Sequence, residues 1–265
     1  MRNAWGRVAE AYDDLWTAGL MAYTARGLDL LAPEPGWRGL DVACGPGTAT
    51  VALADRLTDG SVLGVDFAPP MVERATALHG RPGLSFAVDD AERLSQPDAA
   101  YDCVTCCFGL MFCYDPRAAL AGIARTLRPG GRVMLTVWGR AGRTWWSPVI
   151  DLIESRASYY AAVCPMTFFY GLPGVLPRML VEAGLEVVHD ELVEEPMAFD
   201  SVERAVDTAV LGGPLSGLFT HRLSAEQQAE VRAAMTDHVT STSRIEGGVL
   251  LAPAEVAIVV ATRPG

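Results

Sequence analysis

A chain of 265 residues, half of them apolar and a fifth charged, has the composition of a folded enzyme and not of a disordered segment. Its formal net charge of −11 repels phosphate backbones and anionic lipid, which excludes nucleic acid and membrane surfaces as expected partners. All 21 basic residues are arginines, so Schiff-base catalysis and the lysine of a Walker phosphate loop are both ruled out.

The opening residues lack the basic stretch and apolar core of a signal peptide, and no apolar run approaches bilayer length, so a cytoplasmic protein is expected. Two helices are predicted first. "AWGRVAEAYDDLW" places Trp5, Val8, Tyr12 and Trp16 at helical spacing, and "GLMAYTARGLDLLAP" repeats the pattern until Pro33 stops it. Strands and helices then alternate: strands at 39–43, 61–66, 84–88 and 101–107, with helices at 48–57 and 70–78. "DPRAAL" opens another helix, with Asp115 as N-cap and Pro116 at its first position, and "LRPGGRVMLTVWG" is a turn and a fifth strand. This rhythm predicts an α/β fold, a doubly wound, mostly parallel sheet.

After the fifth strand the rhythm breaks. Residues 140–170 are rich in aromatics (Trp145, Trp146, Tyr159, Tyr160, Phe168, Phe169, Tyr170), and 174–195 restore a helix and a strand. A second excursion, 196–248, carries helices near 201–211 and 225–240, and "AEVAIVVATRP" is a last apolar strand. With no repeat or linker, the expectation is a single domain over 1–265: N-terminal helices (1–35), a cofactor-binding core (36–140), lid insertions (141–173 and 196–248) and closing elements (174–195 and 249–265). Of six cysteines, Cys103 and Cys106 have the spacing of a metal half-site, but residues three apart on a strand face opposite ways, so no metal is expected.

"LDVACGPGTAT", residues 40–50, is a strand running into a glycine turn and a helix. A dinucleotide turn needs a third small residue where Thr50 stands, after Gly45 and Gly47. The acids discriminate further. Asp41 lies just before the turn, where a carboxylate disfavours pyrophosphate but suits an ammonium or a sulfonium. Asp66 ends the second strand, where it can accept from both hydroxyls of a ribose. Asp90 in "VDDAERL" can accept from an adenine amino group while the Ala91 amide donates to the ring. A positive cofactor with ribose and adenine is S-adenosylmethionine.

"LDVACGPGTA", "VLGVDFAPPMVERA", "FAVDDAERL", "YDCVTCCFGLMF" and "LRPGGRVMLTVW", in this order over roughly 36–140, resemble the motifs of class I S-adenosylmethionine-dependent methyltransferases. The resemblance is greatest to the branch of the ubiquinone/menaquinone C-methyltransferases and many natural-product methyltransferases. It implies a Rossmann-like seven-stranded sheet with one antiparallel strand, to which "EVAIVVAT" is suited, plus helical lid insertions. It also implies that Gly45 and Gly47 line the methionine and ribose of the cofactor, with Asp41 and Cys44 nearby. Asp66 would hold the ribose diol, Phe67 would lie beside the adenine, Asp90 and Ala91 would read its edge, and the Cys107 backbone would receive the methionine ammonium. Cys44 reads as a residue that fits the loop, not as a nucleophile.

Methyl transfer to a small, largely apolar acceptor is then expected, on oxygen or carbon by in-line displacement, leaving S-adenosylhomocysteine as product, by a monomer or homodimer. Positioning dominates such a reaction, with a base where the acceptor needs one. His221, His238 and Asp115 are candidates for that base, while His79 and His189 read as structural. Tyr12, Trp16, Trp145, Trp146 and Phe169 are candidates for the acceptor pocket. The alternatives are a nicotinamide-dependent oxidoreductase, against which Thr50 and the "VDDAERL" acids argue, and a non-catalytic cofactor-binding module.

Overall fold

A computed structural model describes residues 2–157 and 166–265. Tyr159, Tyr160 and Cys164 therefore lie outside the described residues. The N-terminal segment forms three helices where two are expected: α1 (Arg2–Arg7), α2 (Ala9–Leu15) and α3 (Thr17–Leu31). The chain breaks at Val8 and again at Trp16, and both residues turn inward. α3 ends at Ala32 in the left-handed region, φ 48°, one residue before Pro33, which cannot continue a helix.

The core follows as β1 (Arg38–Val42), α4 (Thr48–Arg56), β2 (Ser61–Asp66), α5 (Pro69–His79), β3 (Leu84–Val88), β4 (Tyr101–Cys107), α6 (Pro116–Thr126) and β5 (Leu127–Trp138). β4 is buried on both faces except at Cys107, which is why it reads as an unbroken apolar run. α6 begins as the sequence predicts: Asp115 accepts from the Ala118 amide at 3.0 Å, and Pro116 occupies the first turn. Burial pushes the Cys103 thiol up to about 12 and Cys106 well above its ordinary value, so both behave as small apolar residues.

Beyond β5 come α7 (Pro148–Ala157), α8 (Val175–Glu182), β6 (Glu186–Glu194), β7 (Met197–Phe199), α9 (Val202–Leu211), α10 (Ser216–Arg222), α11 (Ala225–Thr242), β8 (Arg244–Glu246), β9 (Val249–Ala252) and β10 (Glu255–Thr262). The main sheet has seven strands in the order β3-β2-β1-β4-β5-β10-β6. β1 to β5 pair in parallel, whereas β10 runs antiparallel to both β5 and β6. The strand order reverses at β1, flanked by β2 and β4, and in an open α/β sheet ligands bind at the carboxyl ends of strands beside such a switch point.

The second excursion is not purely helical. β7, β9 and β8 form a small three-stranded sheet, turned at Gly247 and Gly248, whose φ values of 57° and 85° suit a two-residue hairpin turn. Strands of three or four residues carry too little alternation to be read from sequence, although the Gly-Gly pair marks the turn. α10 is a further element that the sequence reading omits. The excursions pack together, α7 against α10 and α11, and α9 against α2, and share one hydrophobic core with the sheet. Where they meet, the Trp16 ring lies 5.7 Å from Trp138, 6.0 Å from Trp145 and 5.8 Å from Trp146.

Candidate active site

The loops leaving β1 and β4 are held in strained shapes. Ala43 and Phe108, neither a glycine, have φ of 58° and 56°, a conformation that costs a side chain about 1 kcal/mol or more. Both residues line the main cavity at this edge, where the two strands open. Gly45, φ 54°, supplies its amide to Asp66 Oδ2 at 3.0 Å, and the Ala68 amide donates to Asp66 Oδ1 at 2.9 Å. Asp66 thus ties the first turn to the end of β2, and each of its oxygens keeps a further lone pair. Only 6% exposed, its carboxyl is pushed up to about 6 by burial.

Asp41 is deeper, at 1% exposure. Its Oδ1 accepts from Thr105 Oγ1 and its Oδ2 from Thr50 Oγ1, both at 2.7 Å, yet burial still pushes it up to about 6. Thr50, which is poorly suited to a dinucleotide turn, therefore serves the acid of β1. The loop after β3 is a web of carboxylates. Asp89 accepts from Ser95 and Gln96, Asp90 Oδ1 from the Glu92 amide, and Glu92 from the Tyr114 and Asp115 amides. Asp90 Oδ2 has no hydrogen-bond partner among the described residues.

These groups surround a cavity with about 650 Å³ of empty space. Gly45, Asp66, Phe67, Asp90, Ala91 and Cys107 all line it, as their sequence positions predict. An adjoining cavity of about 440 Å³ shares Gly45 and Cys107 and adds Asp41 and Cys44. Burial, then the charge of Asp41, pushes the Cys107 thiol up to about 12, and burial raises Cys44 well above its ordinary value, so neither is a nucleophile. Five carboxylates (Asp41, Asp66, Asp89, Asp90, Glu92) and no basic side chain line the two cavities. That set repels a pyrophosphate and fits the ammonium, sulfonium and ribose of S-adenosylmethionine.

Gly47 departs from expectation, because it lines neither cavity. It caps α4 with φ 94°, and a Cβ there would lie 2.9 Å from the Phe86 ring and 3.0 Å from Ala75 Cβ. Its missing Cβ permits the close approach of loop, β3 and α5. Gly47→Ala is expected to cost about 2–4 kcal/mol, from the left-handed backbone and the overpacking together, read as a lower urea midpoint.

A third cavity of about 550 Å³ shares Trp5, Tyr12, Phe108 and Phe112 with the main one. Its lining includes Trp16, Trp138 and Trp146 and no charged side chain. Tyr12, Trp16 and Trp146 thus stand where expected. Trp145 does not: it is 1% exposed, packed between Trp16 and Phe199, and outside the cavity. Phe169 turns outward at 42% exposure, against Tyr170. Neighbouring aromatics in an irregular segment point in different directions, and residue type alone does not say which faces inward.

None of the candidate bases reaches a cavity. His221 is exposed in the last turn of α10, which buries Phe219 instead. α11 buries Val231, Met235 and Val239, leaving His238 off the cavity walls. Asp115 is exposed and committed to its cap. Among the residues sequence reasoning missed are Asp89 and Glu92 of the acidic cavity, Trp5 and Trp138, and Phe108, Phe112 and Thr167. "CFGLMF" after the fourth strand held a signal for Phe108 and Phe112, since loops at that end of a parallel strand form the site.

Among known proteins, the profile of the family described as "Methyltransferase domain" matches residues 40–135. The demethylmenaquinone methyltransferase of Deinococcus radiodurans is 32% identical over 182 residues, 68% of this chain and 68% of that protein. The nocamycin O-methyltransferase of Saccharothrix syringae is 32% identical over 200 residues, covering 69% of this chain and 71% of its own. In fold, a methyltransferase structure from Bacillus halodurans superposes with a TM-score of 0.63 at 18% identity, over 92% of this chain and all of that one. Nothing found supports a nicotinamide enzyme. This chain belongs to the class I S-adenosylmethionine-dependent methyltransferases, in the branch that holds the demethylmenaquinone and natural-product methyltransferases, and transfers methyl groups to a small metabolite.

Proposed function

We propose that the acceptor is a planar, largely apolar aromatic metabolite, methylated on oxygen or carbon within the tryptophan-lined cavity. The observation that carries this reading is the wall of four aromatics shared between an acidic cavity and a wholly uncharged one. In this arrangement Asp66 binds the ribose diol and Phe67 flanks the adenine, whose edge Asp90 and Ala91 read. Asp41, Cys44, Gly45 and the Cys107 backbone surround the methionine end. Bound there, the cofactor supplies a methyl group activated on a sulfonium.

The chain's own contribution is position and dryness. Aromatic walls exclude water and hold a flat acceptor along the line of attack. No carboxylate or imidazole lines the acceptor cavity. Burial, with the nearby Cys107 and Asp66, raises the Tyr12 phenol above its ordinary range, so it stays protonated near neutrality and is no base. The acceptor must therefore bring its own nucleophile, an acidic phenol or enol, or an electron-rich ring carbon. No helix among the described residues is long and apolar enough to cross a membrane. With a net charge of −11, a freely diffusing cytoplasmic metabolite is the fitting partner for this chain, acting as one domain, monomeric or homodimeric.

The test is transfer of labelled methyl from S-adenosylmethionine to 2-naphthol and, in parallel, to glycine. Labelled naphthol and unlabelled glycine are expected. Ala209→Phe, which fills the apolar cavity, should lower kcat/KM for 2-naphthol at least about tenfold and leave S-adenosylhomocysteine affinity unchanged. Labelling of glycine alone would reject the reading.

A further inference from the structure

Two residues of the apolar acceptor cavity carry a polar atom left unsatisfied: Trp146 Nε1 and Thr167 Oγ1 are both buried and have no hydrogen-bond partner among the described residues. Both residues line the cavity, Trp146 at 8% exposure and Thr167 at 0%. Trp145 Nε1 and Thr136 Oγ1 are also unpartnered, but neither residue lines this cavity. A buried polar group without a partner forfeits its full hydration, so two in one otherwise greasy wall are costly unless a ligand completes them.

The position of the pair is informative. The residues shared with the cofactor cavity are Trp5, Tyr12, Phe108 and Phe112, so they form the wall nearest the cofactor. Trp146 and Thr167 belong to the unshared wall. Trp146 is also fixed in orientation, its ring 5.5 Å from Trp138, 5.8 Å from Trp16 and 5.0 Å from Phe168. An indole N–H can only donate, and a threonine hydroxyl donates as readily as it accepts. An oxygen with two free lone pairs, as on a carbonyl, can accept from both at once.

Resting on the proposed acceptor cavity, we infer that Trp146 and Thr167 are specificity-determining residues that recognise a carbonyl oxygen on the acceptor, away from the atom that is methylated. The acceptor then carries two functions on one flat, apolar frame. One is a nucleophilic oxygen or carbon at the shared aromatic wall, and the other is a ketone-type oxygen at the unshared wall. A hydrocarbon of the same outline fills the cavity but leaves both donors unpaired.

A matched pair of probes tests this: 6-acetyl-2-naphthol and 6-ethyl-2-naphthol, which differ by the carbonyl oxygen. Affinity is measured by calorimetry with S-adenosylhomocysteine saturating. The wild-type enzyme is expected to prefer the acetyl probe about tenfold, as one to two hydrogen bonds in a dry site provide. Thr167→Val keeps the outline and removes a donor, while Trp146→Phe removes the indole N–H together with one ring, so the readout is the ratio of the two affinities in each variant. Each should reduce that preference to about threefold or less, with S-adenosylhomocysteine affinity unchanged. Equal wild-type affinity for the two probes would overturn the inference while leaving the apolar cavity as the acceptor site. A tenfold preference that survives in both variants would overturn the assignment to these residues. Failure of either probe to bind beside S-adenosylhomocysteine would remove the acceptor cavity itself, and this inference with it.

Discussion

Asp66→Ala is expected to weaken S-adenosylhomocysteine binding by about 2–4 kcal/mol, roughly 30-fold to 1000-fold, in calorimetry on the folded variant. The carboxylate carries two loads. Its two oxygens already accept from the Gly45 and Ala68 amides, which sets the shape of the first turn. Asp66 also lines the main cavity, where charge-assisted bonds to a ribose diol are the strongest available. Removing the side chain therefore loses the ligand bonds and also unpairs two buried amides. Asp66→Asn keeps one acceptor and the outline of the group, so it should fall between wild type and alanine. The fold should persist in both variants, because Asp66 closes β2 at its end and lies outside the apolar core. Unchanged affinity in either folded variant would take Asp66 out of the site.

The half of the molecule that binds the cofactor was legible in sequence for physical reasons. Parallel strands buried on both faces read as apolar runs, and their turns carry glycine, proline or a capping acid, as at Gly45, Pro116 and Asp115. Topology then places the ends of β1, β2 and β4 together, so Asp41, Asp66 and Cys107 converge without any need to know side-chain directions. The acceptor side offers no such constraint. Trp145 and Trp146 are adjacent in sequence, yet one is sealed in the core and the other lines the cavity. Which way each points is decided by packing against Trp138 at the end of β5 and against Trp16, contributed from the distant N-terminal helices. His221 and His238 fail for a related reason, since a helix turns its apolar stripe inward and carries its polar residues wherever that rotation leaves them. Gly47 lines neither cavity, and a glycine that permits close packing looks the same in a motif as one that permits close ligand approach.

Acidification is expected to weaken S-adenosylmethionine binding and to stabilise the unliganded protein over the same pH window. Asp41 and Asp66 are both pushed by burial from an ordinary value of 3.8 to about 6. Between those values the folded protein holds protons that the unfolded chain has released, so stability declines as pH rises from about 4 to about 6. The loss is roughly 3 kcal/mol for each group, since both are almost wholly buried. A cationic cofactor has the opposite preference: it binds the ionised pair. At about pH 5 only about a tenth of each group is ionised, so affinity should fall about tenfold per carboxylate relative to about pH 7.5, and up to about 100-fold for both. S-adenosylhomocysteine lacks the sulfonium charge and should lose less. Calorimetry with the two cofactors, beside urea midpoints of the unliganded protein, measures both arms. Asp41→Asn removes one titrating group, so its profile should be shallower in affinity and in stability alike. A flat S-adenosylmethionine profile across this window would mean that neither carboxylate faces the cofactor's positive charge. Opposite slopes would show that the ionised acids weaken the unliganded fold and that the bound cation offsets that cost.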